Sequence, residues 1–137
     1  QASAAVSNSF DTPVTIAPTQ APGTWYTDRY APAGFVSPVF FDGDNRLLHS
    51  ISAADGGNAR PGGFSSAFYN TQGRKFDLDS STNAMSIDLY VPQAWATTGR
   101  RMAGFWGTAF DAGNAVSGFP IIEFASDSAG PSFRGWN

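Results

Sequence analysis

Glu123 is the only glutamate and Lys75 the only lysine in 137 residues, whereas aspartate and arginine recur throughout. Glu and Lys are the residues that cover exposed helix surface, while Asp competes with the backbone through turns and caps. A chain that avoids the first pair, and sets Gly, Ser, Asn, Asp and Pro between short aromatic runs, folds as strands and turns. No stretch sustains a long helical period. Turn signals recur about every ten residues, as in sandwiches and barrels. The expected fold is all-β, an antiparallel β-sandwich or jelly roll.

Composition narrows the function classes. With 42% hydrophobic and 15% aromatic residues, the chain can bury a core and suits one domain. A formal net charge of -3 argues against a nucleic-acid partner, which needs a clustered basic face. Without cysteine there is neither a disulfide nor a thiolate zinc site. No apolar run approaches the roughly 20 residues of a membrane span, so none is expected. Gln1-Ala-Ser-Ala-Ala5 lacks the basic start and apolar centre of a signal peptide, which leaves open a mature end from which one was removed. The expected location is therefore secreted or cell surface. Residues 1–22, rich in Ala, Ser, Thr and Pro, are expected as an extended arm, and residues 23–137 as the β-sandwich domain.

Along the chain, residues 10–16 form a candidate edge strand, because Pro13 cannot donate to a ladder. Residues 24–30 are a second candidate. Residues 34–41 and 46–51 flank Asp42-Gly-Asp-Asn45, a strong hairpin signal. Residues 64–69 and 75–78 bracket a further turn. The clearest alternation lies at 84–91, which predicts a central strand with Met85, Ile87, Leu89 and Val91 facing the core. Pro92 opens a helical turn over 92–96. Residues 101–110, 119–125 and 132–136 complete the expected strands.

At Trp25-Tyr-Thr-Asp-Arg-Tyr30, Phe40-Phe-Asp-Gly-Asp-Asn-Arg46, Phe105-Trp-Gly-Thr-Ala-Phe-Asp111 and Phe119-Pro-Ile-Ile-Glu-Phe124, the chain resembles exported bacterial proteins with a concanavalin-like, laminarinase-type jelly roll. The resemblance spans residues 24–136. It implies either a β-glucanase or a non-catalytic sugar-binding or surface domain. Such jelly rolls usually run longer, which implies a truncated domain or one completed by another chain. The enzymes of that family carry Glu-x-Asp-x-Glu on one strand. Here the pattern is Glu123-Phe-Ala125-Ser-Asp127, so Glu123 and Asp127 would be the catalytic pair of an enzyme. Four strand residues separate Cα atoms by roughly 13 Å at about 3.3 Å per residue. A retaining pair must bring its carboxyls to roughly 5 to 5.5 Å. A Glu and an Asp fall short without a bulge, and Asp127 sits among turn residues.

Aromatic residues make the stronger argument. Trp25, Tyr26, Tyr30, Trp95, Trp106 and Trp136 exceed what a small core needs. Sugar rings stack their C–H faces on aromatic planes, while polar side chains bond their hydroxyls. The candidate ligand-binding residues are Trp25, Tyr30, Trp106, Glu123 and Trp136, with core packing the competing role for Trp106. Trp106 shares a strand face with Met102 and Gly104, which leaves a shallow groove. Asp42, Asp44 and Asn45 offer oxygens at calcium-loop spacing but lack the closing Glu, so they read first as a hairpin turn. No other cofactor is expected. His49, the sole histidine, has no second ligand for a metal.

The functional expectation is a non-catalytic domain that binds polysaccharide or cell-surface glycan, or builds a surface assembly. One alternative is a laminarinase-like hydrolase using Glu123. The other is a structural subunit of a filament or surface layer. There, segments 10–16 and 132–136 would self-associate by strand addition, because neither carries an edge lysine.

Overall fold

A computed structural model describes residues 6–28, 30–52, 72–97 and 101–136. Among them are nine strands and one short 3₁₀ turn, and no α-helix. The protein is all-β, with antiparallel sheets. The chain divides into two compact units, residues 1–83 and 84–137.

In the first unit, β1 (Trp25–Tyr26) pairs antiparallel with β4 (Lys75–Phe76), and Ile16 adds a parallel bridge to Trp25. A hairpin joins β2 (Gly34–Phe41) to β3 (Asp44–Ser50). Its turn is local chemistry: Asp42 and Gly43 have φ of 51° and 80°, and a left-handed pair matches the twist of the flanking strands. The ladder shifts register between Val36 and Val39, where Pro38 has no N–H to donate. Tyr26, 2% exposed, is the most buried large side chain among the described residues. Trp25 sits edge-on to both Phe35 (5.1 Å) and Phe76 (5.2 Å). Two of its buried polar side chains, Ser37 and Gln72, are paired. Ser37 Oγ donates to the Thr12 carbonyl at 2.7 Å, and the Gln72 amide both accepts from and donates to the Ser52 backbone.

The second unit is built on a three-stranded antiparallel sheet in the order β5 (Arg101–Trp106), β8 (Ile121–Asp127), β9 (Gly130–Trp136). Between β5 and β8 the two arms run on into β6 (Ala109–Phe110) and β7 (Val116–Gly118). The register set by Trp106↔Ile121 carries through to Ala109↔Gly118, so this is one long hairpin. Its tip is closed by Asp111, whose Oδ1 accepts the N–H groups of Gly113 and Ala115 at 2.8 and 3.0 Å. On one face of the sheet, Phe124 packs against Phe133 at 5.6 Å and against Trp95 of the 3₁₀ turn Gln93–Ala96 at 6.0 Å.

Several expectations need correction. Residues 84–91 form no strand, and Met85, Ile87 and Leu89 are 39%, 54% and 39% exposed. Alternation shows that a segment could pleat, but a strand also needs a partner for its N–H and C=O groups. Among the described residues this segment joins no ladder. The expected edge strand at 10–16 reduces to the single bridge at Ile16, with Phe10 turned to a φ of 60°. The 24–30 strand shrinks to β1. The 101–110 strand breaks at Gly107, because Pro120 opposite accepts its N–H at 2.7 Å but has none to return. The same proline delays the start of the 119–125 strand to Ile121. The expected strand 64–69 lies outside the described residues.

Candidate functional site

Alternation along β8 puts Ile121, Glu123 and Ala125 on one face. Register then supplies their neighbours: Trp106, Gly104 and Met102 on β5, and Trp136, Arg134 and Ser132 on β9. Glu123 occupies the centre of this face and is 2% exposed. Directly opposite, Gly104 leaves the only space its backbone can use: a Cβ there would lie 2.4 Å from Glu123 Cβ.

Both carboxylate oxygens are engaged. Trp106 Nε1 donates to Oε2 at 3.3 Å, and Arg134 Nη2 donates to Oε1 as an ion pair. Arg134 Nη2 also reaches Met102 Sδ at 3.2 Å. The guanidinium carbon stands 5.2 Å from the Trp136 ring centroid, a cation–π arrangement. The pair is unequal in solvent: the Glu123 side chain is 3% exposed and that of Arg134 36%. Trp136 is 49% exposed. The face therefore offers an open indole beside a charge-compensated, half-exposed guanidinium.

Asp127 lies on the same side of β8 but takes no part. Its Oδ1 accepts the Ala129 N–H at 2.8 Å in the turn to β9. The structure thus brings together Trp106, Glu123 and Trp136, and leaves Asp127 in a turn. Trp25 packs within the first unit between Phe35 and Phe76. Tyr30, half-buried in the same unit, forms a parallel bridge with Gln72.

Asp42, Asp44 and Asn45 build the hairpin turn. The Asp44 carboxyl pairs with Arg46 and accepts the Asn45 N–H at 2.8 Å. These bonds, led by the one from Arg46, hold it below the usual carboxylate range. Asn45 Nδ2 donates to Asp11 at 2.9 Å. Among the described residues no three His, Cys, Asp or Glu side chains gather as metal ligands. His49 stands edge-on to Phe35 at 5.9 Å. Desolvation lowers its imidazole below the ordinary value, although part of the side chain remains exposed.

Arg134 is the member of this side-chain cluster that sequence reasoning missed. Its i, i+2 spacing from Trp136 is visible, but its position across from Glu123 follows from the Asp127–Gly130 turn and the β8–β9 register.

Fold and site together define an all-β protein with an aromatic-flanked ion pair on one sheet face. No family model matches the chain, and no curated protein or solved structure matches it. Among the described residues no helix is long and apolar enough to cross a membrane.

Proposed function

We propose that this is a secreted or cell-surface domain of β-sandwich, jelly-roll type that binds polysaccharide or cell-surface glycan without cleaving it. The observation that carries this reading is the half-exposed Trp136 ring beside the Arg134 guanidinium. An aromatic plane with adjacent N–H donors suits a sugar ring, stacking its C–H face and bonding its hydroxyls. The engagement of Glu123 by Arg134 and Trp106 favours binding over hydrolysis, since a glycosidase needs two available carboxyls. A glycan array followed by calorimetry tests the reading. Trp136→Ala should weaken the best ligand about tenfold or more while leaving the circular dichroism spectrum unchanged. Absence of any glycan ligand, or an affinity indifferent to Trp136→Ala, would sink it.

A second reading is self-association through β9. Among the described residues β9 pairs only with β8 and its other edge carries no strand, and Phe133 on it is 68% exposed. An open apolar edge is a template for strand addition by a second copy. Light scattering should then show an oligomer that Phe133→Lys dissociates; a monomer at micromolar concentration would end this reading.

A further inference from the structure

The first unit contains a cleft of about 250 Å³ whose lining includes Asn8, Thr12, Thr15, Trp25 and Phe76. Its outer wall, residues 8–16, forms almost no ladder, yet it is tied down along its length. Asp11 accepts from Asn45 Nδ2 at 2.9 Å, and the Thr12 carbonyl accepts from Ser37 Oγ at 2.7 Å. At the far end, Ile16 bridges Trp25, and the Ala17 N–H donates to the Trp25 carbonyl at 2.8 Å. These ties preform the cleft, so a ligand need not order its wall.

The lining has a consistent chemistry. Trp25 and Phe76, edge-on at 5.2 Å, supply aromatic surface. Asn8 spends its carbonyl oxygen on the Phe10 N–H, which leaves its amide donors to the cleft. The Thr12 and Thr15 hydroxyls carry no bond to another described residue and add donors and acceptors. The Trp25 indole N–H has no acceptor among the described residues but is itself buried, so it is not one of the donors open to the cleft. Among the described residues no acid or base lines the cleft. A charged ligand would lose its water with no opposite charge to meet it. The volume falls just below the roughly 300–1,000 Å³ of sites for drug-sized molecules.

We infer that this cleft is a second binding site, for one neutral, hydroxyl-bearing ring of the size of a single pyranose. It stands on its own residues and does not depend on the Trp136 face.

The test is an NMR titration of the whole chain with glucose, galactose, mannose and cellobiose. The four tryptophan indole resonances would be assigned by single Trp→Phe variants. Saturable shifts of the Trp25 indole and of the Thr12, Val14 and Thr15 amides are expected, weakened about tenfold or more by Asn8→Ala combined with Thr15→Val. Both substitutions fall on exposed side chains, so the fold is retained. Trp136→Ala should leave these shifts unchanged. If only the Trp106 and Trp136 resonances respond, or none does, the cleft is not a sugar site. Equal affinity for glucuronate would overturn its neutral character.

Discussion

Gly104 and Glu123 face each other across the β5–β8 ladder with no room for another carbon: a Cβ on Gly104 would meet Glu123 Cβ at 2.4 Å and Cα at 2.7 Å. Neither atom is a flexible side-chain end, so the strands themselves would have to move. Gly104→Ala should therefore destabilise the protein by about 1–3 kcal/mol, as overpacking does. Gly135→Ala is the control, because its Cβ would meet only the Ile121 carbonyl at an ordinary 3.7 Å. Urea unfolding of the two variants checks the contrast.

The ion pair predicts an asymmetry. Arg134→Ala leaves a carboxylate with a 3% exposed side chain and only the Trp106 indole as donor. Such an orphaned buried charge costs about 3–5 kcal/mol. Glu123→Gln leaves a guanidinium that is 36% exposed and rehydrates readily, so about 1–2 kcal/mol is expected. Chemical denaturation should rank Arg134→Ala as the more damaging; the reverse order would show that Glu123 is not desolvated.

No hydrolysis of laminarin or lichenan is expected. Glu123 is held by two donors, and the Asp127 carboxyl is turned to Ala129. Reducing-sugar release that disappears in Glu123→Gln would replace the binding reading with a hydrolase.

Acid should loosen the first unit through Asp77. Burial raises this carboxyl, but hydrogen bonds from Tyr26 (2.6 Å) and Gln20 and the charge of Lys75 together hold it below its ordinary 3.8. A folded value below the unfolded one means that the stabilisation is complete above about pH 4. It is lost as pH falls through the folded value. Tyr26→Phe removes one of the lowering bonds and should flatten this acid slope in urea titrations between about pH 5 and pH 2. An unchanged slope would disconnect the pair. At the alkaline end the Tyr26 phenol, raised mainly by burial, stays neutral through its ordinary range and ionises only well above it.

Leu89→Ala should cost less than about 1 kcal/mol, since Leu89 is 39% exposed on a segment that joins no ladder among the described residues. A loss of about 2–5 kcal/mol, the range for core leucines, would restore it to a central strand.

The sequence by itself determined what adjacent residues can settle between them. The scarcity of Glu and Lys marks an all-β chain, Asp42-Gly43 can take the left-handed turn that closes a hairpin, and Pro92 starts the short 3₁₀ turn. These are preferences of single dihedrals and near neighbours, so they are legible without a fold. Partnership was decided only by the tertiary structure. Residues 84–91 alternate as well as any strand but join no ladder among the described residues, whereas β9, with its weaker pattern, finds β8. Trp25 and Trp136 are the same residue type; one packs between Phe35 and Phe76, while the other stays half open beside Arg134. Register is the reason. Moving β9 by one residue against β8 would carry Arg134 and Trp136 to the opposite face and leave Glu123 buried without its counter-charge.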